Sequence, residues 1–417
     1  MSSESISIPV ASTKRLAWVD VPMRAFAGGF YQNLIHMYDY LGVRYRQQSF
    51  LFSFAWLSQQ PALCETMPLP YMVHASNFHQ FPAMSWEIDF FHWLLEAACA
   101  IFCYLWLTVC SFFVAPYEES SSATCESLEQ YLQRIHLPKH FTASFLLPLI
   151  SSVCTCSHKD LLKFPASDVL DYKKRTHRQP HYVVDDGVQI VQEKLAKGLD
   201  VRFGVCLTKL ESRSNGVNIM WLDSDGNERV EVFDLAVLAV SPDVVAAIFE
   251  PLKSRLEHVP TTMVETVAHT DISTIRPLHL SPGKNTIPPG ASLISTISTQ
   301  SIHFRSNEGD TESVHEQPNS VLVTTNPLTP IDRSKIIRSA KFTRVLRSPE
   351  SRHLINDIFR GDPGLSEATV SKTWRNGDGG VYLAGGWCWD GMVLLEGCVV
   401  SAMRVASNLG VDVPWQQ

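Results

Sequence analysis

Val381-Tyr-Leu-Ala-Gly-Gly-Trp-Cys-Trp-Asp-Gly-Met-Val-Leu-Leu-Glu-Gly-Cys-Val-Val-Ser-Ala-Met-Arg-Val-Ala406 is the stretch on which the fold turns. Its apolar start runs into Gly385-Gly386, and an amphipathic segment then extends from Met392 to Gly410. This predicts a buried strand, a tight turn and a helix closed by a glycine cap. A strand that ends in two glycines lets backbone come close to a ligand, and the helix behind it can offer its amino end. A second unit of the same kind stands upstream at Phe233-Asp-Leu-Ala-Val-Leu-Ala-Val-Ser-Pro242, continuous enough in apolar residues to be a strand buried on both faces, followed by the helical DVVAAIFEPL. Two strand–turn–helix units are the pattern of a nucleotide-binding α/β layer.

Outward from these units, VRFGVCLTKLES, VNIMWLDSDG and ERVEVFDLAVLAVS alternate about Asn215-Gly216 and Asp225-Gly226, which predicts a β-meander. Residues 261–345 alternate strands with Pro/Gly/Ser loops such as LSPGKNTIPPG. Near the amino terminus, LAWVDVPMRAF is extended. FYQNLIHMYDYLG is helical, with Leu34, Met37, Tyr38 and Leu41 on one face and Gly42 as its stop. VRYRQQSFLFSFAWL is strand-like, and residues 61–85 form a Pro- and His-rich loop. Ser127-Leu-Glu-Gln opens a helical region over 126–178, broken at Pro138, Pro148 and Pro165. Its closing basic run, Lys173, Lys174, Arg175, His177 and Arg178, is too short for a nucleic-acid role and predicts a solvated loop.

The chain has 417 residues and a formal charge of −7, unevenly spread. No Lys or Arg lies between Arg46 and Arg134, where eight acidic residues fall (Glu65, Glu87, Asp89, Glu96, Glu118, Glu119, Glu126, Glu129). The rest of the chain is therefore near neutral, which excludes a broadly basic nucleic-acid binder and a disordered acidic chain. Ten cysteines without framework spacing, and no Asn-x-Ser/Thr sequon, predict reduced thiols and an intracellular protein. Cys154-Thr-Cys156 has no second ligand pair, so no metal site is expected. Ala97–Ala115 carries no charge and is extended upstream by Phe90, Phe91, Trp93, Leu94 and Leu95. An apolar helix over 90–115 is expected, and three placements stay open: a buried helix, one lying on a bilayer face, or a single span. Acidic flanks on both sides set no orientation.

Together these pieces resemble the flavin-containing amine oxidase superfamily of FAD/NAD(P)-binding oxidoreductases. The resemblance runs in order through VDVPMRAFAGGFYQNLIHMYDYLGVRYR (19–46), SLEQYLQRIHLPKHFTASFLLPLISSV (127–153), LLKFPASDVLDY (161–172), FDLAVLAVSPDVVAAIF (233–249), VAHTD (267–271) and the tail motif at 381–406. It implies a mixed α/β (α+β) fold, in which a truncated FAD-binding Rossmann-like domain interleaves with a helical and antiparallel-sheet substrate domain. The expected division is 1–60 partial FAD domain, 61–180 helical substrate or membrane-facing domain, 181–242 FAD-domain meander and strand, 243–375 substrate-domain sheet, and 376–417 carboxyl-terminal FAD motif. The family's G-x-G-x-x-G turn, which seats the FAD pyrophosphate, occurs nowhere in the 417 residues.

The resemblance implies FAD, with Gly28, Gly29, Ala239, Gly385, Gly386, Trp387, Gly391 and Glu396 as cofactor-binding residues. Each has a plain structural alternative: a close-packed turn for the glycines and Trp387, a helix cap for Glu396. Asp390, between Trp389 and Gly391, is the candidate proton-transfer carboxylate, with a solvent-facing turn as the alternative. His269 and Asp271 share a strand face by alternation. The expected function is an oxidase, desaturase or double-bond isomerase acting on a small lipophilic substrate, such as a fatty, terpenoid or polyketide intermediate. The alternative is a cofactor-free lipophile-binding protein or acid/base isomerase.

Overall fold

The computed structural model describes residues 4–9, 16–57, 70–75, 90–118, 125–275, 299–317, 320–359 and 374–416. Strands β1 (Glu4–Pro9) and β2 (Leu16–Val21) pair as an antiparallel ribbon. β3 (Phe26–Ala27) leads into helix α1 (Gln32–Tyr40), whose Leu34, Met37 and Tyr38 are buried at the expected spacing. Gly42, at φ +61°, follows it as the sequence predicts. β4 (Tyr45–Gln47), β5 (Phe50–Trp56) and β6 (Met72–Ala75) follow. β6 corrects one expectation: within the segment read as loop, residues 72–75 pair antiparallel with β5. The remainder of that segment, 61–69 and 76–85, lies outside the described residues, as does the loop at 280–290.

Helix α2 (Phe90–Phe113) spans 24 residues. Ala97, Ala100, Cys103, Leu107 and Cys110 recur every three or four positions and are buried, so one face packs against the protein along the helix. Burying a side chain such as Leu107 contributes on the order of 1.5–3 kcal/mol. The opposite face, including Leu95, Phe102, Leu105, Val109 and Phe113, is exposed, Phe113 by 83%.

Helices α3 (Leu128–Arg134), α4 (Leu147–Cys154) and α5 (Ala166–Thr176) pack with α1 and the inner face of α2 in the largest core. Ser127 and Gln130 form the reciprocal cap that the Ser-x-x-Gln spacing predicts. Pro148 does not break the chain as expected. Thr142–Leu146 is wound as a π-helix, with Leu147 N donating to Thr142 O five residues back, and Pro148 enters at the first turn of α4. A proline lacks the N–H that an ordinary turn would use, and a widened turn absorbs that loss. The basic run is corrected too. Lys173, Lys174 and Arg175 form the last turn of α5, where cations complement the helix dipole.

β7 (His181–Val184) completes a small sheet of order β3-β7-β4, and α6 (Gln189–Ala196) follows. β8 (Cys206–Arg213), β9 (Gly216–Leu222) and β10 (Glu228–Phe233) form the predicted meander. β11 (Ala236–Leu238) is the strand expected to be buried on both faces, and only half of that holds. Ala236 and Leu238 are buried, but Leu235, Val237 and Val240 are exposed, Val237 by 49%. Among the described residues its sheet has two strands, β11 and its parallel partner β17 (Val381–Leu383), and the second core, with Leu210, Val217, Val245 and Ile355, covers one face.

After α7 (Pro242–Ile248), strands β12 (Thr261–His269), β13 (Gln300–Ser306), β14 (Thr311–Gln317), β15 (Val321–Thr325) and β16 (Ile336–Val345) build the large sheet. Its order is β16-β12-β15-β14-β13-β5-β6, antiparallel except where β13 lies parallel to β5. α8 (Pro349–Phe359) packs on the meander side. α9 (Leu395–Asn408) starts three residues later than the sequence suggests. Leu394 is extended, and the Trp389 indole donates to Met392 O, so Met392–Leu394 belong to the turn.

Candidate active site

A cavity of about 580 Å³ lies between the large sheet and the helical layer, within the range of ligand pockets. Its floor is the face of β5 and β13 that carries Phe52, Phe54, Ile302 and Phe304. Period-2 alternation puts the aromatic residues of β5 on that side and turns Ser53 to the other, where its Oγ meets His303 Nδ1 at 2.8 Å. The roof is α2, through Ala100, Ile101, Tyr104 and Leu105, together with Phe141, Phe145 and Leu149.

The mouth is marked by the lining residues that are also exposed. These are Ile101 (42%) and Leu105 (57%) on α2, with Arg178 and Gln179 just past α5. Ile101 and Leu105 therefore belong both to the cavity wall and to the outer apolar stripe of α2. Beside the mouth, Lys173 Nζ donates to Tyr104 Oη at 2.8 Å and lies 4.4 Å from that ring's centroid. Burial pushes the Lys173 ammonium down to about 8, and pushes the Tyr104 phenol up.

At the deep end stand Arg24, Tyr31, Arg344, Leu394 and Leu395. Burial lowers both arginines' pKa values. Arg344 is pushed down to about 9, with the like charge of Arg24 acting in the same direction, while Asp20 opposes the shift at Arg24. A guanidinium keeps its proton at neutral pH, so two charges stay in a place where burial makes charge costly. Arg344 Nε is buried without a hydrogen-bond partner among the described residues. No Asp or Glu lines the cavity among the described residues, whereas Arg24, Lys173, Arg178 and Arg344 all do.

None of the candidate site residues named from sequence lines the cavity; those of 385–396 stand behind its deep end, and Gly28 and Gly29 stand beside Gln179 near its mouth. Glu396 Oε1 accepts from Asn33 N (2.9 Å) and Asn33 Nδ2 (2.7 Å), and Oε2 accepts from Leu34 N (3.1 Å), so the carboxylate caps the amino end of α1. Trp387 is buried, with its indole donating to Val240 O. Gly385 N and O both meet Ser401 Oγ. A Cβ on Gly386 would stand 3.0 Å from Leu394 O. Gly391 lies against the Trp389 ring, and Gly29 against Arg175 O, where a Cβ would come within 2.2 Å of that oxygen. Gly28 packs against Gln179 and Tyr182. Ala239 follows β11 on the approach to α7.

Asp390 is not among the residues lining the cavity, and its carboxylate stands 3.9 Å from Arg404. His269 and Asp271 are buried in local bonds: His269 Nε2 to Thr324 Oγ1, and Asp271 to Ser273, Asp332 N and Lys335. Arg347 ties the turn together, donating to the carbonyls of Trp387, Trp389 and Gly391 and standing 3.7 Å from Asp168 of α5. Sequence reading singled out none of Arg24, Tyr104 or Arg344, and read Lys173 as solvated. The one signal for them was negative: a segment without Lys or Arg forms much of the apolar wall, so its cations come from elsewhere.

The chain combines a mixed α/β fold with an apolar cavity between its large sheet and its helical layer. Residues 109–292 match the family described as flavin containing amine oxidoreductase, which bears out the resemblance read from the sequence. Among solved structures, a cyclohexylamine oxidase from Brevibacterium oxydans IH-35A is similar with a TM-score of 0.52 at 10% identity, covering 97% of this chain and 91% of that one. A fatty acid isomerase from P. acnes, described as producing CLA, is similar with a TM-score of 0.52 at 12% identity, covering 91% and 85%. No curated protein matches the sequence.

The family matched over 109–292 is described as flavin containing, and the deep end of the cavity has donors that would suit the ring of a flavin. α9 begins there without a side-chain cap at Leu394, so its positive end faces the cavity through Leu394 and Leu395, flanked by Arg24 and the unpartnered Arg344 Nε. Such a donor set matches the electron-rich edge of the ring.

Proposed function

We propose that the protein is a flavin-dependent oxidoreductase or double-bond isomerase that acts on a lipophilic substrate, taken up where α2 lies on a membrane face. The observation that carries this is the apolar cavity whose mouth, at Ile101 and Leu105, is continuous with the exposed stripe of α2. By length and composition α2 is also the one candidate membrane span among the described residues, a test that the core helix of a soluble protein passes as well. Its buried inner face favours lying on a bilayer over crossing one, and its acidic flanks leave apolar contact as the driving force. The two similar structures are named for an amine oxidase and a fatty acid isomerase, and both names fit a hydrocarbon-rich substrate.

A bound flavin would supply a hydride acceptor for a carbon beside a heteroatom or an alkene. Arg24, Arg344 and the amino end of α9 would hold its electron-rich edge and stabilise negative charge there. The Phe-lined floor excludes water and aligns the chain of the substrate. Tyr31, whose hydroxyl burial holds well above its ordinary pKa, stays protonated beside the arginines.

One observation favours a second reading, a flavin-free lipophile-binding protein: the diglycine turn packs on the protein's own atoms, and both Glu396 oxygens serve α1. The visible spectrum of the purified chain after incubation with FAD decides between them. Flavin bands that persist through gel filtration support the redox reading, and their loss sinks it. Co-flotation with liposomes, abolished by Phe102→Lys and Leu105→Lys together, tests the membrane face. Flotation that is unchanged in this variant overturns it.

A further inference from the structure

We infer that the ligand of this cavity is an anionic amphiphile, a long-chain carboxylate whose head is held at the mouth by Lys173 and Arg178 and whose hydrocarbon chain runs over the Phe52–Phe304 floor. This rests on the reading of the cavity as a lipophile site and adds the head group.

Four observations converge on it. At the mouth, exposed lining residues and two cations, Lys173 and Arg178, share one stretch of the wall. Among the described residues, the Lys173 ammonium bonds to a neutral phenol and has no carboxylate within ion-pair distance, although α5 also carries Asp168 and Asp171. Those two are committed elsewhere, Asp171 to Arg175 and Asp168 to the neighbourhood of Arg347 and Arg352. The lining as a whole contains four cations and no anion among the described residues. The lining between these cations is predominantly aromatic and aliphatic, above all the Phe52, Phe54 and Phe304 floor, with hydroxyl and imidazole groups such as Ser313 and His315 scattered along it.

An ammonium drawn out of water beside a phenol lacks compensation, and a carboxylate supplies it directly. The lowered pKa of Lys173 is the same deficit seen from the proton's side. The mouth is also where a carboxylate is held most cheaply, because it keeps part of its hydration there while the chain is buried. Tyr104 Oη, already bonded to Lys173, is a positioning group that holds the ammonium in place.

The test uses the full chain and displacement of a fluorescent fatty acid by four competitors of equal chain length: octadecenoate, octadecenol, methyl octadecenoate and octadecenyl phosphate. A charge-assisted bond predicts that octadecenoate binds about ten-fold more tightly than the alcohol or ester. Lys173→Gln should reduce that preference several-fold, Lys173→Arg should keep it, and Lys173→Gln with Arg178→Gln should erase it. Circular dichroism and the melting temperature report whether each variant is folded, and Tyr104→Phe, expected to weaken the preference only partly, gives an independent check. Equal binding of acid and alcohol to the wild-type chain, or a full preference retained in the folded double variant, overturns the proposal while leaving the lipophile reading intact. Tighter binding of the phosphate than of the carboxylate overturns the assigned head group. Failure of all four to displace the probe overturns both readings.

Discussion

Arg344 and Arg347 stand three residues apart at the end of β16, yet they serve two different regions. Arg347 belongs to the frame behind the cavity, where one guanidinium holds three carbonyls of the 387–391 turn and faces Asp168 of α5. Arg344 belongs to the cavity wall, where its Nε lacks a partner and its neighbour Arg24 carries the same charge. Burial weakens the cation in both places, and neither Nε has a hydrogen bond, but carbonyls and Asp168 answer Arg347, whereas Arg344 rests on the Phe342 ring, 4.9 Å from its centroid. A buried charge with protein partners marks architecture, whereas a buried charge turned on a cavity without anions marks a demand for a ligand.

The largest expected effect breaks the frame. Arg347→Met removes one member of a buried pair, leaves three carbonyls unanswered and leaves Asp168 with Arg352 alone, costing ~3–5 kcal/mol in urea unfolding. A loss below about 1 kcal/mol would mean that the turn holds itself. Acid should come next. Burial pushes His315, which lines the cavity, and His269, behind it on β12, down to about 4. Both are neutral in the folded chain, whereas an unfolded histidine takes its proton near 6.5. Their contribution is full above about pH 6.5 and is lost as pH falls toward about 4. The melting temperature should therefore drop across that window, and less steeply in His315→Gln.

A smaller loss is expected from Glu396→Ala, which uncaps α1 at a cost of about 1–2 kcal/mol. Hydrogen exchange should localise it to Asn33 and Leu34, and uniform deprotection would contradict the assignment. The smallest effect has the opposite sign. In the ligand-free chain, Arg344→Met removes a buried charge that only the Phe342 ring faces, together with its repulsion from Arg24, and should raise stability by about 1 kcal/mol. A destabilised Arg344→Met would place Arg344 in the frame after all.

What could be read from the sequence follows the range of the interactions involved. The strand at 381–383, the glycine stop of α1, the Ser127 capping box and the meander turns all depend on neighbours a few residues away, and all stand where the pattern puts them. The Met72–Ala75 strand did not announce itself, because its ladder partner β5, not its composition, makes it a strand. Lys173 was hidden for the same reason. A basic run says that cations are close in sequence, but only the packing of α5 against α2 decides which of them turns inward. The continuous apolar run at 235–240 signals a parallel strand correctly, while the number of strands that cover it is a tertiary fact.

The parallel pairing of β5 with β13 sets residues 50–56 beside residues 300–306, and the cap on α1 comes from residue 396. During synthesis, the floor of the cavity cannot close until some 250 further residues have left the ribosome, and α1 is not finished until nearly the last helix arrives. For that interval β5, whose Phe50, Phe52 and Phe54 build the floor, lacks the strand it pairs with, although α2 can already settle on α1, α3 and α5. Contacts so distant in the chain make folding slow and leave sticky surface open in the meantime. The membrane face proposed for α2 would give the unfinished chain a bilayer to rest on, so that the membrane serves as a chaperone before it serves as a source of substrate.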